Sequence, residues 1–326
     1  MNEIIAAIGL SLAISASLLW LLLRTAGAAL PLDRPNERSL HSQATPRVGG
    51  IAIMVGICTT WLWIGAEPVI LGIAVALCII SYLDDRSGLP TLARFLSHAL
   101  AAVGFVALSI TDVPVWAAIV IVVGIIWMTN LYNFMDGSDG LAGGMAVFGF
   151  GTYAFLAWQA GNAPIAGASL AIGAAAIGFL LFNFPPAKVF MGDAGSIPLG
   201  FLAAAIGLLG WQQTLWPLWV PLVAFGPFVV DATVTIGKRI LRREKIWQAH
   251  RTHYYQRLVQ SGWGHRRTAI AAYGLMAFSA IVAAAGAQQS QTIQYVCVAA
   301  IALIYVVLGA MIDRSWAHHQ QRTQTR

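Results

Sequence analysis

The segment "VWAAIVIVVGIIWMTNLYNFMDGSDGLAGGMAVFGFGTYAFLAW" (115–158) decides the fold class of this chain. Two apolar runs, 115–132 and 141–158, flank a short polar stretch. A helix of about 20 apolar residues crosses the hydrocarbon core of a membrane, because each residue adds about 1.5 Å to its length. The segment therefore predicts two membrane-spanning helices joined by a polar loop.

Similar apolar windows recur along the whole chain, which is 58% hydrophobic and only 10% charged. Helices of a water-soluble protein carry a charged face, and these windows carry none. The eleven expected spans are approximately 3–23, 48–66, 69–83, 94–110, 115–132, 141–158, 164–183, 197–211, 217–236, 268–286 and 292–312. The sequence predicts an all-α polytopic integral membrane protein, with residues 1–326 forming a single transmembrane domain.

The basic residues predict how this domain is oriented. Eleven spans place all 19 Lys and Arg residues on one side of the membrane. By the positive-inside rule this side is cytoplasmic, so the N-terminus is outside and the C-terminus inside. The expected cytoplasmic segments are 24–47, 84–93, 133–140, 184–196, 237–267 and the tail 313–326. The net charge of +6 then faces anionic lipid headgroups of the bilayer, and a nucleic-acid partner is not expected.

Acidic residues cluster at the cytoplasmic ends of the expected spans. Asp84 and Asp85 directly follow one span, where both the helix dipole and their mutual repulsion oppose them. They are either a solvated helix end or neighbours of a cation. Asn130, Asn133 and Asp136 are spaced to share one helix face, and Asp139 follows between two glycines. Such oxygen ligands suit magnesium, although DG-rich segments also form ordinary turns.

The segment "FMGDAGS" (190–196) combines an acid with a glycine-flanked helix start. Ser196 is expected to cap the next helix, and Gly192 lies just before Asp193. A helix N-terminus of this kind offers backbone N–H groups to an anion. The sequence therefore predicts an anion site here, with Asp193 supplying an oxygen ligand to a metal ion.

The basic segment 238–267 carries a fourth polar element, "HRTH" (250–253). His250, Arg251 and His253 would form a phosphate clamp if they converged, whereas basic runs beside a membrane are often only electrostatic anchors. Asp231 lies within an expected span and is either a functional acid or the partner of an Arg. Together the four elements favour phosphoryl chemistry at the membrane surface.

Five motifs in order resemble the polyprenyl-phosphate N-acetylhexosamine-1-phosphate transferases over nearly the whole chain. They are "RPNERSLHSQATPRVGG" (34–50), "YLDD" (82–85), "NLYNFMDGSDGLAGG" (130–144), "FMGDAGS" (190–196) and "HRTHYYQRL" (250–258). The resemblance implies transfer of a sugar 1-phosphate from a UDP-N-acetylhexosamine to undecaprenyl phosphate, with release of UMP. Eleven spans resemble the branch that starts O-antigen and related envelope glycans in the bacterial inner membrane.

The resemblance also implies roles for individual residues. Asn133 and Asp193 match the positions that bind Mg²⁺, for which Mn²⁺ is the expected substitute. The expected catalytic residues are Asp84, Asp85, Asp136, Asp139 and His253. The expected substrate-binding residues are His41, Arg47, Asn130, Gly192, Ser196, His250 and Arg251.

Two alternatives stay open at this point. The branch that makes the peptidoglycan lipid precursor, by phospho-muramoyl-pentapeptide transfer, carries an HHH element where this chain reads HRTHYY. Gly-interrupted helices with intramembrane acids also describe secondary transporters, whose sites lie near the membrane midplane. The oligomeric state is not fixed by the sequence, and a homodimer is one option.

Overall fold

A computed structural model of the chain describes residues 2–25, 30–35, 40, 43–245, 248 and 250–324. It confirms an all-α polytopic membrane protein. The helices are α1 (Asn2–Thr25), α2 (Gly49–Ile64), α3 (Pro68–Ser87), α4 (Thr91–Ser109), α5 (Val115–Phe134), α6 (Leu141–Gln159), α7 (Ala163–Asn183), α8 (Asp193–Gln212), α9 (Trp219–Ala224), α10 (Gly226–Leu241), α11 (Tyr254–Leu258), α12 (Gly264–Gly286) and α13 (Gln291–Gln324). Two short antiparallel strands, β1 (Leu32–Asp33) and β2 (Thr45–Pro46), precede α2.

Nine helical segments in the described part of the chain are long and apolar enough to cross a membrane. One of them, Tyr254–Gly286, joins α11 to α12 across a kink at Gly262, whose φ is +93°. The 16-residue α2 is shorter. The expected span 217–236 is not one helix but two, α9 and α10. Pro227 lies in the first turn of α10, where a missing N–H group is tolerated and a continuing helix is not. The total of eleven spans and their orientation stay predictions.

The centre of the helix bundle is formed by α6, α7 and α8. In the most apolar 18-residue window of each helix, the buried share of residues is 72% in α6, 72% in α7 and 83% in α8. In α13 it is only 6%. Small residues allow this close packing, since glycine and alanine let helix backbones approach each other. The side chains of Ser11 and Ser15 on α1, for example, donate hydrogen bonds to the backbone carbonyls of Ala171 and Ala175 on α7.

The start of α2 fixes the loop that leads into α8. The backbone N–H groups of Gly49 and Gly50 donate to the carbonyl oxygens of Phe190 (2.9 Å) and Met191 (2.8 Å). A Cβ atom on Gly50 would lie 2.2 Å from the backbone nitrogen of Gly195, so only glycine fits at this crossing. The first turn of α8, which begins with Asp193, is thereby held at one end of the bundle.

Candidate active site

The expected metal-binding pair comes together in the structure. Asn133 lies in the last turn of α5, and its Nδ2 donates to Oδ1 of Asp193 (2.8 Å) and to Oγ of Ser196 (3.0 Å) on α8. Because Nδ2 makes both bonds, Oδ1 of Asn133 remains as a ligand atom. Packing of α5 against α8 therefore places an amide oxygen beside a carboxylate.

This pair opens into a cavity of about 100 Å³. Its lining residues come from six segments: Asp33, Arg47, Asn133, Asp136, Gly137, Ser138, Asp139, Asn183, Phe190, Gly192, Asp193 and His265. Three of them, Asp33, Asn183 and His265, lie outside the five motifs of the sequence. No sequence signal distinguishes Asp33 from the other charged residues of its loop. Asn183 does carry a signal, because a polar amide at the end of a long apolar run indicates a buried or functional side chain.

The charge around the cavity is predominantly negative. Arg47 pairs with Asp33 (2.8 Å) and more distantly with Asp85 (3.6 Å). Burial alone would lower the pKa of Arg47, but the hydrogen bond and charge of Asp33, with smaller contributions from Asp85 and Asp193, raise it. Arg47 is thus a fixed cation among several carboxylates.

Asp136 follows α5 and faces the same group of charges. Burial, together with the negative charges of Asp193, Asp85 and Asp33, raises the pKa of Asp136 well above its usual value, and Arg47 offsets this only in part. An added cation stabilises the ionised form of a carboxyl group in such a setting, because it offsets the repulsion from the neighbouring negative charges. The electrostatics of the site thus favour a bound positive ion.

The acidic pair Asp84 and Asp85 does not follow α3, as expected, but forms part of its last turns. The two side chains separate, because successive residues point about 100° apart on a helix. Asp84 accepts from the backbone N–H of Leu89 (2.6 Å) and pairs with Arg94 (3.3 Å), away from the cavity. Asp85 turns towards Arg47 and α8, so only Asp85 touches the charge cluster directly.

The start of α8 also differs from the expectation. Gly192, with a φ of +73°, is the N-cap, and Ser196 lies in the first turn, where its hydroxyl donates to the Gly192 carbonyl (3.2 Å). The N–H of Ala194 donates to Oδ2 of Asp85 (3.4 Å), and the carboxyl group of Asp85 also accepts from the backbone N–H of Asp193. Asp85 therefore occupies the helix N-terminus that was expected to receive a substrate anion, because its side chain accepts from the free N–H groups there.

The turn between α5 and α6 is held by side chains on both sides. Oδ2 of Asp139 accepts from the backbone N–H of Ala187 (2.9 Å). The side chain of Asn183 accepts from Gly140 N–H (2.8 Å) and donates to the carbonyl of Val189 (2.8 Å). Asp139 lines the cavity, but one of its oxygens is committed to fixing the neighbouring loop.

The expected phosphate clamp is only partly assembled. The rings of His250 and His253 lie 4.9 Å apart, while Arg251 is exposed, and none of the three lines the cavity. His253 is buried, and its ring stacks near Phe134, the residue after Asn133. The segment thus lies beside the site and leaves the cavity lining to other residues.

Among the described residues Asp231 is bound by His253 and by backbone N–H groups, and not by an Arg. Its carboxylate accepts from the backbone N–H groups of Tyr254 (2.9 Å) and Tyr255 (3.0 Å) and lies 3.2 Å from Nδ1 of His253. These contacts cap the start of α11, because the first N–H groups of a helix have no partner within it. Asp231 therefore fixes the position of His253.

Asn130 does not join Asn133 and Asp136 in the cavity, since it lies almost one helical turn further into α5. Its Nδ2 donates to the carbonyl of Ile126 (2.7 Å), and its side chain lies beside His98 of α4. Nδ1 of His98 and Nε of Arg94 are buried and have no hydrogen-bond partner within the described part of the protein. His98 also lies within electrostatic range of Asp193 and Asp84.

The residues present fit a magnesium ion. Among the described residues no group of three or more His, Cys, Asp or Glu side chains is arranged to hold a metal ion alone. Mg²⁺ does not need one, because it keeps several waters and shares its sphere between one or two carboxylates and substrate phosphates. Asn133, Asp193 and Asp136 offer such oxygens. The expected substrate-binding residue His41 lies outside the described residues.

Comparison with known proteins gives a consistent assignment. The profile described as glycosyl transferase family 4 matches residues 68–210. A probable undecaprenyl-phosphate N-acetylglucosaminyl 1-phosphate transferase of Bacillus subtilis is 33% identical over 262 residues, covering 74% of this chain and 73% of the relative.

Relatives of a second kind are also found. A phospho-N-acetylmuramoyl-pentapeptide-transferase of Geobacillus thermodenitrificans is 31% identical, covering 75% of this chain and 84% of the relative. A further relative of the first kind, an undecaprenyl-phosphate alpha-N-acetylglucosaminyl 1-phosphate transferase of Yersinia pestis, is 26% identical, covering 87% of this chain and 85% of the relative. These matches confirm the resemblance seen in the five motifs: the chain belongs to glycosyl transferase family 4, the polyprenyl-phosphate N-acetylhexosamine-1-phosphate transferases.

Proposed function

We propose that this protein transfers an N-acetylhexosamine 1-phosphate from a UDP-sugar to undecaprenyl phosphate, giving undecaprenyl-pyrophosphoryl-sugar and UMP. The observation that carries the proposal is the Asn133–Asp193 pair in an acidic cavity, in a chain whose relatives are named sugar-1-phosphate transferases. In this proposal the transfer is the first membrane step of O-antigen or a related envelope glycan, at the cytoplasmic face of the bacterial inner membrane.

The donor diphosphate would be held at the cavity. Asn133 and Asp193 would bind Mg²⁺, with Asp136 as a further oxygen donor, and the ion would neutralise charge on the diphosphate when bound. Arg47 lines the same cavity and offers a guanidinium to a phosphate oxygen. A cavity of about 100 Å³ accommodates an ion and phosphate oxygens, whereas a whole nucleotide sugar needs several times that volume.

The acceptor phosphate would approach from the side of α4. Arg94 and His98 lie one helical turn apart there, each with a buried nitrogen atom that lacks a partner in the described residues. The outer face of α4 exposes large apolar side chains, including Leu96 and Leu100, as a lipid-facing helix does. These features support binding of the lipid phosphate between α4 and Asp193.

The reaction itself needs little more than positioning. An oxygen of the prenyl phosphate attacks the β-phosphorus of the UDP-sugar, and the bond from this phosphorus to the oxygen of UMP breaks. A phosphate monoester is largely dianionic at pH 7, since its second pKa is about 6. A dedicated base is therefore not required, and Asp85 and Arg47 act by orienting charge.

The test is UMP release by the purified protein in detergent, with undecaprenyl phosphate, Mg²⁺ or Mn²⁺, and a panel of UDP-N-acetylhexosamines. UMP that depends on both lipid and metal supports the proposal, and the best donor identifies the sugar. Preference for the UDP-muramoyl-pentapeptide donor would instead assign the protein to phospho-muramoyl-pentapeptide transfer. Absence of UMP with every donor, from folded protein, would reject the proposal and favour the transporter alternative.

A further inference from the structure

His265 lines the candidate active site but has no role in the proposed transfer. It lies at the start of α12, and its ring makes contacts through both nitrogen atoms. Nδ1 is 2.9 Å from Oγ of Ser138 and 3.4 Å from the backbone nitrogen of Asp139. Nε2 is 3.1 Å from the backbone carbonyl oxygen of Leu40. A partly buried imidazole thus joins two segments that are almost a hundred residues apart.

These partners fix the tautomer of His265. A carbonyl oxygen only accepts hydrogen bonds, so Nε2 carries the hydrogen and donates it to Leu40. Nδ1 is then the acceptor in the neutral ring, and the Ser138 hydroxyl and the Asp139 N–H donate to it. In this form both nitrogens have a hydrogen-bond partner, and Oδ1 of Asp139 lies 3.6 Å from Nδ1.

Both of the linked segments supply residues to the cavity. Ser138 and Asp139 belong to the turn between α5 and α6, whose other contacts reach Ala187 and Asn183. Leu40 lies between β1 and β2, in the segment that supplies Asp33 and Arg47 to the cavity. The hydrogen bond between His265 and Leu40 is therefore a direct connection between the β1–β2 segment and the turn.

We propose that His265 is a positioning residue that holds the turn at Ser138–Asp139 and the Leu40 segment together as the donor side of the active site. The proposal rests on the proposed function, in which the donor diphosphate is held at the cavity that His265 lines and the lipid phosphate is bound near α4. Loss of the link then weakens donor binding and leaves acceptor binding unchanged.

Three variants separate the hydrogen bonds from simple packing. In His265→Gln the side-chain oxygen accepts from Ser138 and the nitrogen donates to Leu40, since an amide spaces these atoms much as the ring spaces its nitrogens. His265→Ala removes both bonds, and Ser138→Ala removes one. His318→Ala, at an exposed position of α13, is the matched control.

The measurement is the KM for each substrate in the UMP assay, together with hydrogen–deuterium exchange of peptides covering 40–47 and 136–141. His265→Ala should raise the KM for the UDP-sugar about tenfold, the lower end of what loss of a supporting hydrogen-bond partner costs at a metal site. The KM for undecaprenyl phosphate should stay within about twofold, the range expected of an unrelated surface change. Exchange in both peptides should rise, and His265→Gln should restore both readouts.

The inference is overturned if His265→Ala leaves the donor KM unchanged, if the acceptor KM rises instead, or if His265→Gln is as impaired as His265→Ala. Should His265→Ala fail to fold, Ser138→Ala and His265→Gln give the same comparison. Absence of UMP with the unaltered protein would reject the proposed function alone. The exchange data would then test whether His265 holds the two segments together. Unchanged exchange in His265→Ala would reject this role.

Discussion

The side chain of Asn133, in the last turn of α5, donates a hydrogen bond to the carboxylate of Asp193, in the first turn of α8, at 2.8 Å. α5 ends and α8 begins at the same side of the bundle, so the pair joins two polar loops across the protein interior. An amide that donates to one acid keeps its own oxygen for a cation. The geometry thus explains why an Asn and an Asp, and not two acids, occupy these positions.

Replacing either member of this pair should abolish transfer without unfolding the protein. For Asp193→Asn and Asn133→Ala we expect the rate of UMP release to fall by about 100-fold or more, since even outer-shell partners of a metal contribute about 10–100-fold. The matched control is Asp112→Asn, because Asp112 is exposed and its φ of +58° suits asparagine equally well. Substantial activity in either purified variant would remove that residue from the metal site.

The raised pKa of Asp136 predicts a pH-dependent stability. A carboxyl group with a higher pKa in the folded than in the unfolded protein holds its proton more tightly when folded. Its contribution favours the folded state at low pH and is lost as the pH rises above about 4. In EDTA, Asp136→Asn should therefore raise the apparent Tm by about 2 °C or more at pH 8 and by less at pH 5.

Thermal unfolding of both proteins in detergent across this pH range is the measurement. Added Mg²⁺ should stabilise the unaltered protein more than Asp136→Asn at pH 8, because only the former gains relief from repulsion. A Tm difference that stays constant with pH would argue against a raised pKa at this position.

His98 should affect the lipid acceptor and not the donor. Loss of one hydrogen bond to a charged phosphate is worth about 1.5 kcal/mol or more, so His98→Ala should raise the KM for undecaprenyl phosphate about tenfold. The KM for the UDP-sugar should be unchanged, in contrast to the expectation for His265→Ala. The exposed His318→Ala serves again as the control, and an altered donor KM alone would place His98 elsewhere.

The crossing of α2 and α8 should tolerate no side chain at Gly50. An added Cβ would lie 2.2 Å from the backbone nitrogen of Gly195, and neither backbone is free to move. Gly50→Ala should lower stability by about 1–3 kcal/mol, as overpacking does, and should reduce activity because the shift reaches Asp193.

The control for this change is Gly72→Ala on α3, where nothing lies within 4 Å of an added Cβ. It should be neutral or slightly stabilising, since alanine is the better helix former. Thermal unfolding and UMP release of the two variants give the comparison, and equal behaviour of both would contradict the tight crossing.

The sequence by itself determined the class of the fold and the chemistry at the ends of its helices. Apolar length, the scarcity of charge and the placing of acids and amides are local properties, so they are readable without coordinates. For the same reason the sequence predicts Asn133 and Asp193 individually as oxygen ligands, and the five motifs are sufficient to indicate the family.

Only the tertiary structure decided which of these groups meet. Asp84 and Asp85 are neighbours in the chain, yet helical geometry turns one to Arg94 and the other to Arg47. Asp231 caps α11, and His265 joins the cavity, because side chains far apart in sequence are brought together by packing. The Gly50–Gly195 crossing leaves no room for a side chain between α2 and α8, and no local pattern in the sequence encodes such a close approach.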